Sequence, residues 1–316
     1  VAVYEPIFKE TSHGFRPEKS CHTALIQVKM KGQRTKWAVE GDIKSFFDNI
    51  DHGILLKLLG KKITDGRILE LIQRFLKAGY LEFQQIRDSL TGTPQGGLIS
   101  PVLANIYLHE FDVFMEELCR EKSSKERKKK KANLVYKRLA WQRGKSQKIG
   151  DYKKADEILR EMRKIPSVDP MDPDFIRVCY IRYADDFLVL LDGSKELANT
   201  LKREIGDFMK AKLNLELSEE KTLITHLSTE GVRFLGYEIR TAHDDTSITK
   251  DKNGIKKRAI NGTIQLLVPG DVIRAKLSAF MRNSKPIHVP ERVNDPVLNT
   301  LTAYNAEIQG LYNYYR

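Results

Sequence analysis

Two adjacent aspartates, Asp185 and Asp186, stand between two runs of strand-forming residues, 178–182 and 187–191. Hairpins usually turn on Gly or Asn rather than on a pair of acidic residues. Two carboxylates beside buried strands repel each other and resist ionising together unless a cation neutralises them. The pair therefore suggests a divalent metal site at the tip of a hairpin. An Asx-rich surface turn is the alternative when this motif is taken alone.

A third acidic residue, Asp42, follows the apolar, strand-forming segment 37–39 far upstream. At the end of a strand, rigid elements can aim its side chain at the hairpin. The alternative is a turn or N-cap aspartate. Asp48 and Asp51 fit that alternative better, because Asp51 directly precedes an apolar helical pattern. We therefore predict that Asp42 joins the two aspartates of the hairpin.

These aspartates belong to ordered blocks that resemble the motifs of reverse transcriptases, and specifically of the group II intron maturase branch. The blocks are, in chain order, residues 14–17 (Gly-Phe-Arg-Pro) with 19–22, Asp42 with Phe46 and Phe47, residues 92–101 (Gly-Thr-Pro-Gln-Gly-Gly-Leu-Ile-Ser-Pro), residues 103–108, residues 182–187 (Arg-Tyr-Ala-Asp-Asp-Phe) and residues 233–237 (Arg-Phe-Leu-Gly-Tyr). The resemblance covers nearly the whole chain. Its specificity comes from the order of the set rather than from any one block.

The resemblance implies an α+β fold of the right-hand polymerase type. This fold has an antiparallel palm sheet with helices on one face, helical fingers and a partial helical thumb. The implied divisions are 1–35 fingers without their upstream part, 36–51 palm, 52–92 fingers, 93–268 palm with a basic insertion at 120–170, and 269–316 the start of the thumb or maturase region. The chain is accordingly expected to be a fragment of a longer maturase.

The implied activity is RNA-directed DNA polymerisation by a group II intron protein, which also binds intron RNA to assist splicing and mobility. Two Mg²⁺ ions, with Mn²⁺ as an alternative, would activate the primer 3′-hydroxyl and stabilise the leaving pyrophosphate. By resemblance, Asp42 and Asp185 are the principal metal ligands, Asp186 supports them, and Lys221 is a general acid or simply a surface lysine. Two alternatives remain for the whole chain. One is an RNA-binding splicing maturase core whose catalysis is dispensable, and the other is a related retron or diversity-generating reverse transcriptase.

The resemblance also implies residues that contact the substrates. At the incoming nucleotide, the ring of Phe47 is expected to exclude a 2′-hydroxyl, and Arg16 and Lys19 are expected to bind the triphosphate. A loop beside the sugar is expected to contain Pro94, Gln95 and Gly96. The primer 3′ end would be gripped by Leu235, Gly236 and Tyr237, where glycine permits close approach of the backbone. The alternative for Phe47 is an ordinary core phenylalanine. The alternative for the loop that contains Gly96 and Gly97 is a purely structural turn.

Positive charge is concentrated in one segment of the chain. The 316 residues carry a formal net charge of +12, which points to a polyanionic partner. Residues 120–164 hold 18 Lys and Arg against 6 Asp and Glu, so the remaining residues sum to zero. This segment is either a solvated helical insertion, as charge runs usually are, or an arm that clasps RNA phosphates. The RNA contacts predicted for the arm are Lys128, Lys129, Lys130, Lys131, Arg138 and Arg143.

The cysteines and the hydropathy pattern bound the environment. Cys21, Cys119 and Cys179 are isolated from one another, show no metal-ligand spacing, and suit a reducing compartment. The chain shows neither a signal peptide nor an apolar run of about 18 residues, so no membrane partner is expected. By resemblance, the partners are group II intron RNA, an RNA template with a DNA primer, and dNTPs. The expected location is intracellular, in a ribonucleoprotein of the bacterial cytoplasm or of an organelle, and a homodimer is left open.

Periodicity and helix breakers predict a coarse set of elements. Helices are expected at 52–78, 98–119, 195–212 and 272–282, with a last helix ending at 311–315. Strands at 217–227, 232–241 and 260–268 follow the hairpin at 177–192. Helical spacing also marks residues 155–160 within the basic segment.

Overall fold

The computed structural model describes residues 3–77, 80–82, 85–87, 99–124, 129–169, 172–244, 249–250, 256–257, 261–283 and 285–315. The helices are α1 (Cys21–Lys31), α2 (His52–Gly60), α3 (Gly66–Lys77), α4 (Ser100–Lys122), α5 (Leu134–Lys148), α6 (Tyr152–Met162), α7 (Lys195–Leu213), α8 (Gly270–Ser278) and α9 (Val297–Tyr314). The strands are β1 (Trp37–Gly41), β2 (Tyr80–Glu82), β3 (Gln85–Arg87), β4 (Arg177–Tyr183), β5 (Asp186–Asp192), β6 (Leu223–His226), β7 (Val232–Phe234), β8 (Tyr237–Thr241), β9 (Thr249–Lys250), β10 (Lys256–Lys257), β11 (Ile264–Leu267), β12 (Met281–Arg282) and β13 (Lys285–Pro286). Short 3-10 helices lie at Glu5–Ile7, Phe46–Asp48 and Pro290–Arg292.

The central sheet has four strands in the order β4-β5-β1-β6, all paired antiparallel. The hairpin predicted at 177–192 is confirmed as β4 and β5. β1 lies beside β5 although 144 residues lie between the end of β1 and the start of β5 in the chain, with Trp37 opposite Leu191. The fold is therefore mixed α+β with antiparallel sheets, as the sequence predicted at that level of detail.

The first face of the central sheet packs against α4 and α7. Side chains of this face alternate with those of the other face along each strand, because successive residues of a strand point to opposite sides. Val39, Phe187 and Val189 belong to this face, and all three are fully buried. Phe111 of α4 and Ile205 of α7 lie in the same apolar cluster. This cluster anchors the sheet that carries the candidate site.

The second face is covered by α1 and by a three-stranded sheet of order β11-β8-β7. Ala38 and Leu188 of the central sheet share a buried cluster with Leu25 of α1 and Ile239 of β8. Helices were predicted on one face only, so α1 is a difference from that expectation. Its physical reason is the apolar side of α1, which needs a buried partner. The assignment of regions to fingers, palm and thumb stays a prediction.

The single helix predicted over 52–78 is wrong. α2 ends at Gly60 and α3 begins at Gly66. A new helix starts there because the Asp65 carboxylate accepts a hydrogen bond from the backbone N–H of Arg67 at 2.9 Å, in the manner of a capping residue. The helix predicted at 98–119 is confirmed within three residues as α4, and the one at 195–212 within one residue as α7.

The basic segment forms a helical hairpin of α5 and α6, which pack against each other. Each helix begins at a capping residue: Asn133 accepts from the N–H of Val135 at 2.9 Å, and Asp151 accepts from that of Lys154 at 3.0 Å. Helical spacing predicted α6, whereas α5 was not predicted. The C-terminal residues form α8 and α9, and the helix expected to end at 311–315 is confirmed.

Candidate active site

The three predicted aspartates meet at one end of the central sheet. β4 and β5 are joined by Ala184 and Asp185, with Tyr183 paired to Asp186 across the hairpin. The neighbouring strand β1 ends at Gly41, which pairs with Phe187, so Asp42 follows beside Asp186, and the charge of Asp42 acts on both Asp185 and Asp186. The structure therefore brings together three carboxylates that are far apart in sequence. Their catalytic roles stay predictions.

Burial and the repulsion between neighbouring carboxylates raise the pKa values of Asp185 and Asp186. The pKa of Asp186 is raised to about 6, by desolvation and by the negative charges of Asp185 and Asp42. Asp186 is nevertheless exposed to solvent as a residue. Repulsion by the neighbouring carboxylates is therefore the stronger cause of its raised pKa. The pKa of Asp185 is also raised, by desolvation and then by the charge of Asp42. The fully ionised state of this pair is thus less favourable than that of isolated aspartates until a cation enters.

A fourth carboxyl group was not predicted. It belongs to Glu40, which lies on β1 two residues before Asp42. Burial raises its pKa to about 7, and the charges of Asp186 and Asp42 add to this effect, while the nearby Arg233 guanidinium opposes it. Glu40 is opposite Leu188 of β5 and Leu223 of β6. It therefore increases the acidity of the face on which the three aspartates converge.

The chemistry of this donor set fits a hard divalent cation. Asp42, Asp185 and Asp186 offer only carboxylate oxygens, which Mg²⁺ prefers, and substrate phosphates and water complete such sites. The mutual repulsion described above is relieved by a positive ion. Among the residues that the structure describes, no group of three or more His, Cys, Asp or Glu side chains is already arranged around a common metal position. The fit therefore rests on charge and donor type, and not on a preformed cage.

Lys221 supplies a positive charge at the same end of the sheet. Its Nζ lies 3.1 Å from Oδ2 of Asp42, and its side chain is 70% exposed. The hydrogen bond and the charge of Asp42 raise its pKa, so the ammonium stays protonated at neutral pH. The backbone supports this contact, because the N–H of Ser218 donates to the Asp42 carbonyl at 2.9 Å. Lys221 thus pairs with Asp42, and its role as a general acid stays a prediction.

The turn predicted to grip the primer joins β7 to β8. Leu235 and Gly236 have φ values of +49° and +73°, the pattern of a type I′ turn. The Tyr314 and Tyr315 hydroxyls at the end of α9 donate to the carbonyls of Leu235 at 2.9 Å and Gly236 at 3.1 Å. A Cβ on Gly236 would lie 3.0 Å from the Tyr314 hydroxyl oxygen, so glycine is needed there on both counts. Tyr237 is buried, and its hydroxyl donates to the Tyr314 carbonyl.

Comparison with known families decides the classification. The family model described as "Reverse transcriptase (RNA-dependent DNA polymerase)" matches residues 1–130 and 154–239, which is more than half of the chain. The chain belongs to the reverse transcriptase family.

Relatives within this family include proteins encoded by introns. The "Group II intron-encoded protein LtrA" of Lactococcus lactis subsp. cremoris is 41% identical over 99% of this chain and 54% of its own length. The "Uncharacterized 91 kDa protein in cob intron" of Schizosaccharomyces pombe is 36% identical over 99% of this chain and 39% of its own. The chain thus spans about half, or less, of the length of these relatives, and it is homologous to them over nearly its whole extent.

Among solved structures, telomerase from Candida tropicalis matches 73% of this chain and 32% of its own. The sequence identity is 12% and the TM-score is 0.43, a likeness too weak to argue from.

The residues predicted to contact the incoming nucleotide in this reverse transcriptase chain differ in their burial and in the groups that they contact. Phe47 is half-buried at the edge of the core, and its ring meets that of Phe46 edge-on at 5.2 Å. Arg16 is buried, and its guanidinium contacts Glu5 at 2.8 Å and donates to two backbone carbonyls. Lys19 pairs with Glu10 at 2.8 Å. In this arrangement Arg16 and Lys19 tie the N-terminal segment together, and their triphosphate contacts stay predictions.

Four predicted residues lie outside the described residues: Pro94, Gln95 and Gly96 of the nucleotide loop, and Lys128 of the basic segment.

The basic hairpin presents cations and aromatic rings to solvent. Lys129 and Arg138 are exposed and Arg143 is half-buried, whereas the side chain of Lys130 lies 2.8 Å from Asp192 of β5, and Lys131 bonds Asp174. Trp141 and Tyr152 are 68% and 69% exposed. Lys130 and Lys131 therefore anchor the start of the hairpin to the protein, which is a structural task that the sequence did not predict. Within the described residues, no helix has the length and apolarity needed to cross a membrane.

The sequence analysis missed three polar residues beneath the β4–β5 turn, which are Arg182, Asp112 and Asn105. All three are almost completely buried. Two residues in the sequence hinted at this network, namely Arg182 within a strand-forming run and Asp112 on the apolar side of a helix. Charged residues in such positions are rarely buried unless they are paired.

Proposed function

We propose that this chain is the catalytic core of a group II intron reverse transcriptase that copies RNA into DNA. The observation that carries the proposal is the convergence of Asp42, Asp185 and Asp186 at the end of β1 and the β4–β5 turn, in a chain of the reverse transcriptase family. Two bound Mg²⁺ ions would supply the charge that activates the primer hydroxyl and stabilises the leaving pyrophosphate.

The three aspartates have distinct tasks in this proposal. Asp42 and Asp185 are the principal metal ligands, because one ends a rigid strand and the other lies at the tip of the hairpin. Asp186 supports them through its contact with Asp42. The repulsion that raises the pKa values of Asp185 and Asp186 is removed when a cation enters, so metal affinity gains from it. Lys221 remains an ammonium next to Asp42, where it can neutralise or protonate the departing phosphate.

The substrates are assigned to the residues around this centre. We propose that the Phe47 ring limits space at the sugar of an incoming dNTP, and that Pro94, Gln95 and Gly96 shape the remainder of that pocket. The type I′ turn of Leu235 and Gly236, followed by Tyr237, holds the primer 3′ end against the carboxylates.

Single-nucleotide incorporation on an RNA template tests the polymerase assignment. The protein at its natural length is compared with its Asp185→Asn and Asp207→Asn variants, in Mg²⁺ and dNTPs. Asp207 is an exposed aspartate on α7 away from the site, so its variant is the matched control. We expect Asp185→Asn to lower the rate at least about 1,000-fold, with the unfolding transition retained. Incorporation by Asp185→Asn at the wild-type rate would show that the carboxylate assignment is wrong.

A second function, binding of intron RNA to assist splicing, is favoured by the exposed cations and rings of the α5–α6 hairpin. Phosphate contacts make affinity depend on salt, with a slope of about 0.7 per contact for single strands. Replacing Lys129 and Arg138 by glutamine should reduce the slope for group II intron RNA by about 1.4. Replacing Lys57, an exposed cation on α2, is the control for general charge loss. An unchanged slope in the double variant would contradict RNA contact by this hairpin.

The two functions separate experimentally. Asp185→Asn should bind and help splice intron RNA while failing to incorporate nucleotides. If both functions are lost together in a folded protein, the carboxylates serve RNA binding as well, and the division made here is wrong.

A further inference from the structure

Arg182 of β4 is completely buried directly beneath the catalytic turn. An arginine side chain has five N–H donors, and burial requires each to find an acceptor. All five are used here: Nε and Nη2 donate to Asp112 Oδ1 at 2.7 Å and Oδ2 at 2.6 Å, Nη2 also to Ser12 Oγ at 2.7 Å, and Nη1 to the Ala184 carbonyl at 2.6 Å and Asn105 Oδ1 at 3.3 Å.

Stability alone does not account for a charge pair in this place. Asp112 is also completely buried and accepts a further hydrogen bond from the Tyr180 hydroxyl at 2.8 Å. Removing two charges from water costs free energy that their attraction often only offsets, and apolar groups of similar size can replace such pairs without loss of stability. The geometry that the guanidinium imposes is therefore the more informative property.

Among the acceptors of Arg182, the Ala184 carbonyl bears most directly on the position of Asp185. It belongs to the peptide that leads into Asp185, so its direction sets the direction of the Asp185 backbone. Ala184 has a φ of +56°, and two-residue hairpin loops with a positive φ at the first position usually place glycine there. Such a conformation persists only where the surroundings enforce it, and it occurs often at functional sites. The Arg182 hydrogen bond is one such enforcement.

The same arginine ties the N-terminal segment to the turn. The backbone N–H of Arg182 donates to the Thr11 carbonyl at 2.8 Å, and the Arg182 carbonyl accepts from the N–H of His13 at 2.9 Å. Asn105, which accepts from the guanidinium, donates from Nδ2 to the Gly14 carbonyl at 2.8 Å. The segment 11–14 is thus held against the turn by one network that has Arg182 at its centre.

We propose that Arg182 is a positioning residue that fixes the peptide between Ala184 and Asp185, and with it the direction of the Asp185 carboxylate. The inference rests on the proposed function of Asp185. Arg182 has no solvent contact and touches no substrate, so it acts on the rate of the chemical step and not on nucleotide affinity. Loss of its hydrogen bond should lower kcat and leave the KM for dNTP unchanged.

The first test variant is Arg182→Lys in the protein at its natural length. Lysine keeps the positive charge beside Asp112, but a single ammonium cannot reproduce the planar fork that spans both the carboxylate and the carbonyl. We expect kcat for single-nucleotide incorporation to fall by about 100-fold, the usual consequence of a misplacement of about 1 Å. Arg177→Lys is the matched control, because Arg177 lies on the same strand and far from the turn. It should keep the wild-type kcat.

The second variant separates positioning from stability. Arg182→Met, Asp112→Leu and Tyr180→Phe together remove the buried charges and the hydroxyl that bonds Asp112, so no charge is left buried without a partner. Ser12, Asn105 and the Ala184 carbonyl each lose one hydrogen bond. This variant should still unfold cooperatively and should show the fall in kcat. A folded Arg182→Lys or triple variant with the wild-type kcat overturns the inference. Absence of incorporation by the wild-type protein overturns the proposed function and this inference with it, whereas an active wild type with an equally active Arg182→Lys overturns the inference alone.

Discussion

Gly14 contacts the β4–β5 turn so closely that a single methyl group should move this turn. A Cβ at this position would lie 2.3 Å from the backbone nitrogen of Ala184, 3.0 Å from its Cα and 3.1 Å from the Tyr183 carbonyl carbon. These are backbone atoms, which cannot rotate aside as a side chain would. The two segments must separate by about 1 Å before ordinary van der Waals contact is restored. The substitution therefore acts directly on the peptide between Tyr183 and Ala184, one residue before Asp185.

The magnitudes for Gly14→Ala follow from this displacement. A misplacement of about 1 Å in a catalytic constellation costs about 100-fold in rate. Forcing an additional methyl group into packed surroundings costs about 1–3 kcal/mol of unfolding free energy. We expect both effects in the same variant, the first by single-nucleotide incorporation on an RNA template and the second by urea unfolding.

Gly144→Ala is the matched control for this experiment. A Cβ on Gly144, within α5, would meet no atom within 4 Å. Alanine in a helix interior should raise the unfolding free energy by about 0.5–1 kcal/mol and leave the rate unchanged. A Gly14→Ala protein with the wild-type rate would refute the argument that the segment 11–14 sets the position of the turn.

Three further predictions concern the neighbours of the site. Tyr314→Phe removes one of the two hydroxyl donors to the turn at 235–236 and should weaken primer–template binding by about 2–10-fold, as measured by fluorescence anisotropy. Tyr312 is an exposed tyrosine on the same helix, so Tyr312→Phe should change nothing, and equal effects of both substitutions would contradict the contact. The Asp51 carboxylate caps α2 by accepting a hydrogen bond from the Ile54 N–H at 2.9 Å. Asp51→Ala should therefore lower the unfolding free energy by about 1 kcal/mol in urea titrations. An unchanged midpoint would show that the cap contributes nothing. Phe47→Val should raise the incorporation of rNTP relative to dNTP at least about 10-fold; unchanged sugar discrimination would place Phe47 in the core only.

Local patterns explain why the three aspartates could be predicted. The Asp185-Asp186 pair stands between two strand-forming runs, and Asp42 directly follows a third. In an antiparallel sheet, the end of one strand lies beside the turn of its neighbours, so these positions come together whenever the strands pair. The resemblance to reverse transcriptases supplied the roles, whereas the pattern of residues supplied the location.

Long-range contacts explain what could not be predicted. Arg182 and Asp112 are 70 residues apart, and no local pattern links an arginine of a strand to an aspartate of a helix. Arg16 differs, because its partners Glu5, Lys9 and Ser12 lie only 11, 7 and 4 residues away. The resemblance implied a phosphate contact for Arg16 and gave no indication of these local bonds. The break between α2 and α3 was missed although residues 61–65, Lys-Lys-Ile-Thr-Asp, contain a single apolar residue. The Asp65 cap starts a new helix there.

The central claim is that Asp42, Asp185 and Asp186 together hold divalent metal for nucleotidyl transfer. Its most direct test is Mn²⁺ binding followed by electron paramagnetic resonance, with the protein bound to an RNA template, a chain-terminated primer and a dNTP. We expect two Mn²⁺ ions per complex in the wild type, loss of at least one in Asp42→Asn, and wild-type binding in the control Asp207→Asn. Equal number and affinity of Mn²⁺ ions in Asp42→Asn and in the wild type would contradict the assignment of these carboxylates.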